Sequence, residues 1–336
     1  MEFKVVVAVD AMGGDNAPGD IVQGAVDAVN NRPDIKVILT GDETAVKAEL
    51  AKYKYNEQQM ELIHCSEVIE MAEHPRHAIT HKKDSSMVVG LNLVKNGVAD
   101  AFVTAGNSGA LAVGGIGVVR RIDGVKRTPF TPIVPTAKGV TLLADSGANV
   151  DVRPDHIVQF AQMGSIYMEH VMGVKNPTVG IINCGAEAEK GNALVKECYP
   201  LLEACESINF IGSVEAREIP FGACDVVVCD GFVGNVALKM YEGMGSMMLK
   251  QIKGGLKSNL LGMIGGLLIK PTLKKTLAKF DVSEHGGAPL LGLNGTVLKT
   301  HGSAKHKEVT NTIYQAAAFK EQDIIGLIKK NIQLGE

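Results

Sequence analysis

The sequence predicts an α/β protein with a Rossmann-like, mostly parallel sheet and helices on both faces. Short apolar runs alternate with longer amphipathic stretches, which is the rhythm of strand, helix and parallel strand. Several of these runs lead directly into glycine-rich turns, and the chain has 38 glycines in 336 residues, above the usual share of roughly 7%. With 46% apolar residues the chain can bury a large core. We therefore expect one α/β domain over residues 1–336, with two joined lobes as the alternative.

Eight apolar runs have the length and composition of strands. They lie at residues 5–9, 37–40, 60–64, 101–104, 141–144, 179–183, 208–211 and 226–229. Stretches with helical spacing of apolar residues alternate with them, at residues 20–30, 84–95, 155–171, 188–203 and 233–250. At residues 114–138 four basic residues crowd around three prolines: Arg120, Arg121, Lys126 and Arg127 around Pro129, Pro132 and Pro135. An inserted hairpin or a dimer arm would explain that segment.

Charge and motifs exclude several classes of function. The net charge is −3, tryptophan is absent and aromatics make up 4% of residues, so we expect no binding of nucleic acid. The sequence lacks the GxGxxG, GxxxxGK[ST], GxSxG and HExxH motifs, which removes the usual dinucleotide, P-loop, hydrolase and zinc-protease signatures. We expect neither a metal nor a cofactor. The six cysteines form no CxxC pair and no basic leader precedes an apolar segment, which predicts reduced core thiols and a cytoplasmic location.

Five glycine-rich turns follow predicted strands and carry polar residues beside the glycine. They lie at residues 10–19, 104–110, 144–149, 183–191 and 229–235. In a parallel sheet such loops collect at the carboxyl ends of the strands, where open α/β folds bind ligands. Glycine lets a phosphate approach the backbone, and helix N-termini offer unpaired N–H groups. The five turns therefore predict one shared oxyanion site, although glycine in any single turn can equally serve only to close it.

Six segments, in order along the chain, resemble the bacterial phosphate acyltransferase family PlsX. They are VDAMGGDNAP at 9–18, TAGNSGAL at 104–111, DSGAN at 145–149, EAEKG at 187–191, DVVVCDGFVGN at 225–235 and GGAPLLGLNGT at 286–296. The resemblance covers essentially the whole chain. It implies a fold similar to the isocitrate and isopropylmalate dehydrogenases and to phosphotransacetylases. It also implies transfer of a fatty acyl group from acyl-acyl carrier protein to inorganic phosphate, giving acyl phosphate for phospholipid synthesis.

The partners that this resemblance implies are acyl carrier protein, a second copy of the chain and an anionic membrane surface. A downstream acyl phosphate:glycerol-3-phosphate acyltransferase is a further one. Two other functions stay open. A dehydrogenase-like enzyme of the same fold would need a nucleotide loop that the sequence lacks, and a non-enzymatic scaffold for lipid enzymes at the membrane would leave the glycine turns unexplained.

The implied reaction is attack of phosphate on a thioester, for which positioning and electrostatics suffice. For binding phosphate we favour Gly106, Asn107, Ser108 and Gly109, and for binding substrate Asn149, Gly231 and Gly234 as well. Lys190 would neutralise developing charge, although an exposed helix lysine is the alternative. Asn235 would serve the oxyanion or the pantetheine arm, and His301 would protonate the leaving sulfur. Asp10, Asp15 and Asp230 would organise loops, as helix caps and Asx turns do.

Residues 250–279 form a basic and apolar segment with seven lysines and no Asp or Glu. Leu256, Leu260, Ile264 and Leu268 recur at helical spacing, Lys257 and Lys270 flank them, and Pro271 is expected to break or kink the path. This pattern predicts an interfacial helical hairpin that lies on a membrane without crossing it. A core or dimer-interface helix with a basic rim is the alternative, and acidic acyl carrier protein could compete for the same lysines.

Overall fold

The structure is a computed structural model that describes residues 3–278 and 282–332. The strands of these residues are β1 Val5–Asp10, β2 Ile35–Gly41, β3 Met60–His64, β4 Ala101–Thr104, β5 Ile133–Thr136, β6 Gly139–Ala144, β7 Thr178–Asn183, β8 Asn209–Glu215, β9 Val226–Val228, β10 Ala288–Pro289 and β11 Thr296–Lys299. All eight predicted strands are present, with bounds that move by up to four residues.

The helices are α1 Gly19–Asn31, α2 Glu43–Leu50, α3 Pro75–His81, α4 Ser86–Lys95, α5 Ser108–Gly114, α6 Pro154–His170, α7 Ala193–Glu203, α8 Gly231–Lys257, α9 Leu260–Ala278, α10 His306–Glu321 and α11 Ile324–Asn331. A π-helical turn, Gly115–Val119, continues α5. The five predicted helices correspond to α1, α4, α6, α7 and α8.

The strands form two sheets where we expected one. The first has the order β10-β11-β4-β1-β2-β3 and the second β5-β6-β9-β7-β8. All pairs are parallel except β10 with β11 and β5 with β6, the pairs at one edge of each sheet. These edges meet through an isolated bridge between Phe130 and Leu290, and the Thr131 N–H donates to the Pro289 carbonyl at 3.0 Å. The α/β fold class is confirmed, and its sheet is divided between two lobes.

Apolar side chains cover both faces of each sheet. In β1, Val7 and Val9 pack with α1 and α10, whereas Ala8 faces Phe102 and α4 on the other side. This division follows from the strand geometry, because successive side chains point to opposite faces. The second sheet has the same arrangement, with α6, α7 and α11 on one face and the start of α8 on the other.

The segment 114–138, predicted as an inserted hairpin or arm, lies along the junction of the two lobes. Its first part is the π-helical turn, and its last part begins the β5–β6 hairpin. Between them the Ile122 N–H donates to the Gly292 carbonyl at 2.9 Å, and the Ile122 side chain is buried in the core of the second lobe. The segment therefore connects the lobes within this chain.

Helices α8 and α9 form a helical hairpin, of 27 and 19 residues. Contrary to the predicted break, α9 runs through Pro271 to Ala278. Leu256 lies on α8 and the other three predicted apolar anchors lie on α9, so one helix does not carry all four. Lys279, the end of the predicted segment, lies outside the described residues. No helix within residues 3–278 and 282–332 is both long and apolar enough to cross a membrane.

Candidate functional site

The loops after β1, β4 and β11 form one group at the carboxyl edge of the first sheet. A Cβ at Gly13 would lie 2.6 Å from Asp10 Oδ2 and 2.7 Å from the Gly106 nitrogen. A Cβ at Gly14, where φ is +95°, would lie 2.8 Å from the Gly302 carbonyl oxygen. Glycine is therefore required at both positions because three backbone segments approach one another closely. We call these loops the first loop group.

Asp10 organises the first loop group from within. Its carboxylate is buried and accepts hydrogen bonds from Thr104 Oγ1 at 2.6 Å and from the Met12 N–H at 3.1 Å. Burial raises the pKa of Asp10, and the hydrogen bonds from Ser86 and Thr104 oppose that rise. Thr104, which we did not single out from the sequence, also accepts the Gly106 N–H at 2.9 Å through Oγ1. These hydrogen bonds therefore fix the start of the glycine turn at residues 104–109.

The Asn107 side chain is committed to the protein. Its Oδ1 accepts the Ala110 N–H at 3.0 Å and caps α5, while Nδ2 lies 3.0–3.2 Å from the carbonyl oxygens of Glu70, Met71 and Glu73. Because these hydrogen bonds occupy the Asn107 side chain, they conflict with its predicted role in binding phosphate. Ser108 is exposed, and a Cβ at Gly109 would lie 2.6 Å from Pro75 Cγ.

Asp15 and His301 stand on neighbouring loops of the first loop group. The Asp15 N–H donates to the Gly302 carbonyl at 2.7 Å, and both side chains are exposed. Glu308 Oε1 accepts the His301 N–H at 2.9 Å and thereby fixes the backbone of that loop. His301 Nδ1 accepts the Ser303 N–H at 3.2 Å, which leaves the proton of a neutral ring on Nε2.

A second loop group lies at the carboxyl edge of the second sheet, after β6 and β9. Asp145, which we did not select from the sequence, is its buried centre. The carboxylate accepts the backbone N–H groups of Phe130 at 2.8 Å and Asn149 at 2.6 Å, and it also accepts Asn149 Nδ2 at 2.9 Å. Asn149 Nδ2 donates to the Thr128 carbonyl as well, at 2.8 Å. The Asn149 side chain therefore builds the loop.

Helix α8 begins directly against the second loop group. Asp230 caps it by accepting the Val233 N–H at 2.9 Å, and the Gly231 N–H donates to the Asn149 carbonyl at 2.8 Å. A Cβ at Gly231 would lie 2.7 Å from that carbonyl oxygen, and one at Gly234 only 1.9 Å from the Asp145 oxygen. Glycine is therefore needed at both positions because backbone atoms of the neighbouring loop occupy the space of a Cβ. The amides of residues 231, 233 and 234 are bonded within the protein.

Asn235 and Lys190 are both exposed at this edge. The Asn235 side chain lies over Gly147, whose ideal Cβ would be 3.7 Å from Asn235 Oδ1. Lys190 stands in the loop after β7, the strand next to β9, and its Nζ lies 2.7 Å from Glu187 Oε2. The hydrogen bond and charge of Glu187 raise the pKa of Lys190, so Lys190 is a cation at neutral pH.

One packing contact and one longer-range electrostatic interaction relate the loop groups across the lobes. Ala148 of the second loop group packs against the apolar cluster that contains Ala110 and Leu111 of α5. Lys239 of α8 and Lys299 at the end of β11 lie within electrostatic reach of each other. Polar and cationic side chains from both lobes are thus placed near one junction. Whether all five turns serve a single site stays a prediction.

The cysteines offer one accessible thiol. Cys65, Cys198, Cys205, Cys224 and Cys229 are buried, and burial raises the pKa of Cys65, Cys198 and Cys224 to about 12. These thiols are therefore poor nucleophiles at neutral pH. Cys184, in the same loop as Lys190, is exposed, so our prediction of core thiols is wrong at this position.

Comparison with known sequences gives matches over nearly the full length. Residues 5–327 match the family described as fatty acid synthesis protein. The phosphate acyltransferase of Clostridium acetobutylicum is 45% identical over 329 residues, which cover 98% of this chain and 99% of that protein. The phosphate acyltransferase of Alkaliphilus oremlandii is 48% identical over 326 residues, with 97% of each chain covered.

Comparison with solved structures gives the same fold at low sequence identity. A phosphotransacetylase from Streptococcus pyogenes has a TM-score of 0.62 and 16% identity, with 95% of each chain covered. The EutD phosphotransacetylase from Staphylococcus aureus has a TM-score of 0.60 and 18% identity, again with 95% of each chain covered. The α/β architecture with two lobes is therefore similar to that of these two structures.

Proposed function

The chain belongs to the PlsX family of phosphate acyltransferases, and on that premise we propose that it transfers a fatty acyl group from acyl-acyl carrier protein to inorganic phosphate. The product, acyl phosphate, would feed phospholipid synthesis. The observation that carries the proposal is the similarity of 45% and 48% over essentially the whole length of two phosphate acyltransferases. The exposed polar and cationic groups at the junction of the lobes are consistent with it.

The chemistry needs positioning more than acid or base strength. A phosphate oxygen attacks the thioester carbonyl carbon, the carbonyl oxygen becomes an oxyanion, and the carbon–sulfur bond then breaks to release the carrier's thiolate, which takes up a proton. Holding two reactants in register can supply roughly 7–11 kcal/mol of the barrier. A thiol with a pKa of about 8.5 is a good leaving group. The reaction so written requires no cofactor and no metal.

Phosphate would bind at the first loop group, on the turn 106–109. Thr104 and Asp10 fix this turn from below, and Ser108 on its surface is exposed. The Asn107 side chain, already bonded to residues 70–73, would act by shaping the turn. Because the Gly106 N–H already donates to Thr104, the groups that we assign to phosphate are the backbone amides of residues 107–109 and the Ser108 hydroxyl.

The oxyanion would be stabilised at the second loop group by side chains. Because the amides of Gly231 and Gly234 donate within the protein, we assign this role to the exposed Asn235 amide and to the ammonium of Lys190. One missing oxyanion donor typically costs about 10²–10³ in rate. His301 in its imidazolium form, in which both ring nitrogens carry a proton, is the candidate for protonating the leaving sulfur, and it becomes a neutral ring when the proton is transferred.

The carrier protein would dock on a basic groove beside the second loop group. Residues 121, 124–127, 151–153 and 156 line this open groove of about 700 Å³. Lys126 and Arg153 both pair with Asp155, at 2.8 Å and 3.0 Å, whereas Arg127 is exposed and forms no ion pair with any described residue. An acidic carrier would complement this surface. The groove wall 151–153 begins two residues after Asn149 in the sequence, so a docked carrier would stand beside the second loop group.

The α8–α9 hairpin would place the enzyme on an anionic membrane. Leu260, Ile264 and Leu268 expose 71%, 51% and 75% of their surface, and Lys257 and Lys270 beside them are exposed. Leu256 is partly buried against Gly266 and contributes to the hairpin itself. Each lysine near anionic lipid would add roughly 1 kcal/mol of attraction. Peripheral attachment by the hairpin would leave the rest of the chain in the cytoplasm.

A second copy of the chain would cover the apolar stripe of α8. The stripe consists of large side chains spaced four residues apart, all exposed: Phe232, Val236, Met240, Met244, Met248 and Ile252. An exposed stripe of this length is typical of an interface, which supports the homodimer. The hairpin also supports the second candidate function, a membrane scaffold for lipid enzymes such as a downstream acyl phosphate:glycerol-3-phosphate acyltransferase.

The test is a direct assay of phosphate incorporation. Purified protein is mixed with acyl-acyl carrier protein and radiolabelled phosphate, and organic-extractable acyl phosphate is measured together with free thiol. We expect labelled acyl phosphate and free thiol to appear together. Thiol without label would mean a thioesterase activity, and the absence of both products, with binding to vesicles intact, would favour the scaffold.

A further inference from the structure

Lys299 ends strand β11, which lies between β10 and β4 in the first sheet, and reaches into the first loop group. It pairs in the parallel ladder with Thr104, the last residue of β4. Its Nζ donates to the Ala105 carbonyl at 3.0 Å and to the Thr300 carbonyl. The side chain is largely enclosed by the loops, unlike the exposed lysines of the hairpin. This ammonium therefore connects the glycine turn after β4 with the loop after β11.

Within the part of the chain that the structure describes, the ammonium of Lys299 has no direct counter-ion. Among residues 3–278 and 282–332 no carboxylate oxygen lies within 4.0 Å of its Nζ. The largest electrostatic effects on this ammonium come from Glu308 on α10, Asp10 on β1, Asp15 on the following loop and Lys239 on α8. An ammonium offers three hydrogens, and two are used on the carbonyl oxygens. An enclosed cation with a remaining hydrogen and no paired carboxylate is costly unless an anion joins it.

The Ala105–Gly106 peptide shows how Lys299 can act on the turn. Its carbonyl oxygen accepts from Lys299, and its N–H donates to Thr104 Oγ1 at 2.9 Å. Both polar atoms of this peptide are thus occupied, which sets the orientation of the amides that follow. The turn 106–109 cannot rotate about its first peptide without breaking the bond to Lys299.

We propose that Lys299 is the positioning residue of the phosphate turn: its ammonium fixes the Ala105 carbonyl and supplies the positive charge that draws inorganic phosphate to residues 106–109. The inference rests on the proposed function and adds a residue to its phosphate site. Burial lowers the pKa of Lys299 to about 8, with the nearby carboxylates opposing the shift. Because the pKa is lowered, the charge is present below that pH and is lost as the pH rises through it.

Three substitutions separate the charge from the hydrogen bonds. Lys299→Met removes both, Lys299→Gln keeps an N–H donor without the charge, and Lys299→Arg keeps the charge. We expect the KM for phosphate to rise by about tenfold or more in the Met and Gln variants, with a smaller change in kcat, and to return towards the wild-type value in the Arg variant. Lys95→Met, which removes an exposed lysine at the end of α4, is the matched control and should leave KM unchanged.

The pH profile gives a readout that a purely structural lysine would not produce. In the wild-type protein the KM for phosphate should rise with a midpoint near pH 8, and in Lys299→Arg this rise should be missing, because arginine remains charged. Stabilisation by phosphate in thermal unfolding reports binding without turnover. It should be present in the wild-type and Arg proteins and absent in the Met and Gln variants.

The outcomes separate the inference from the proposed function. The role of Lys299 would be overturned if Lys299→Gln had the wild-type KM for phosphate. It would also be overturned if the Met and Gln variants both unfolded at a lower temperature with no change in KM. If the wild-type protein forms no acyl phosphate, the proposed function fails, and the thermal-shift series with inorganic phosphate still decides whether Lys299 serves a phosphate site. Loss of stabilisation by phosphate in the neutral variants, with retention in Lys299→Arg, supports it.

Discussion

Replacing Gly234 by alanine should displace the start of α8 from the second loop group. An ideal Cβ at this position lies 1.9 Å from the Asp145 carbonyl oxygen, which is 1.5 Å inside the shortest ordinary contact of 3.4 Å. The obstacle is a backbone atom of a loop that the Asp145 carboxylate itself holds together. A rotamer change cannot relieve the clash, so the helix or the loop has to move.

The size of the effect follows from two opposing terms. Overpacking of a well-filled site typically costs about 1–3 kcal/mol, whereas alanine gains up to about 1 kcal/mol over glycine inside a helix. We expect a net loss of about 1–2 kcal/mol in the free energy of unfolding. Gly243→Ala is the matched control in the same helix, because among the described residues no heavy atom beyond the neighbouring helix backbone lies within 4 Å of its ideal Cβ. That variant should be as stable as the wild type or more stable.

Denaturant titration measures both variants, and the phosphate incorporation assay measures the consequence for Asn235. A displacement of about 1 Å can cost on the order of 10²-fold in rate, so Gly234→Ala should lose turnover even where it is fully folded. Wild-type stability and turnover in Gly234→Ala would refute the close approach of α8 to Asp145.

Three further substitutions test the proposed roles of exposed residues. Lys190→Ala should reduce turnover by more than about tenfold. It should leave the unfolding temperature unchanged, because among the described residues the side chain pairs with Glu187 alone, in its own loop. A near-normal rate at saturating phosphate would remove Lys190 from the mechanism. The double variant Leu260→Glu, Ile264→Glu should no longer sediment with anionic vesicles, while its turnover in solution persists. Unchanged sedimentation would contradict the membrane role of the hairpin. Arg127→Glu should raise the KM for acyl-acyl carrier protein by about tenfold without changing the KM for phosphate. A KM for the carrier equal to that of the wild type would show that the groove is not the docking site.

Each of these variants has a control elsewhere on the surface. Lys196→Ala removes an exposed lysine from α7, three residues into the helix after the Lys190 loop. Leu201→Glu places a charge on an exposed leucine outside the hairpin. Arg217→Glu reverses an exposed arginine away from the groove. All three should behave as the wild type in the corresponding assay.

The strands were predictable because their residues carry a local signal. The run 5–9 is nearly all β-branched and ends at Asp10, where a glycine turn begins, and the runs 37–40 and 226–229 are likewise rich in β-branched residues. Helix α10 was missed although Val309, Ile313, Ala316 and Ala317 are buried at helical spacing. The division into two sheets has no local signal, since it depends on which strand edges meet at the junction.

The candidate site was predictable in position but not in detail. The sequence places glycine, Asn and Asp after the strands, and the structure has these loops at the carboxyl edges of the sheets. That Asn107 is saturated by carbonyl groups of residues 70–73 depends on a contact 34–37 positions away in the chain. Lys299 looks like any other lysine in the sequence. Only the packing of β11 beside β4 encloses it.

The long helix α8 makes the hairpin a lever on the second loop group. Its first residues are clamped between Asn149 and Asp145, and Tyr241 Oη ties it to the Pro135 carbonyl at 2.6 Å. Over the 27 residues of α8 the far end stands about 40 Å from this clamp. A tilt of about 5° would carry the tip through about 3.5 Å while residues beside the pivot move by a few tenths of an ångström. Force applied at the tip is therefore delivered to the capping loop as a torque.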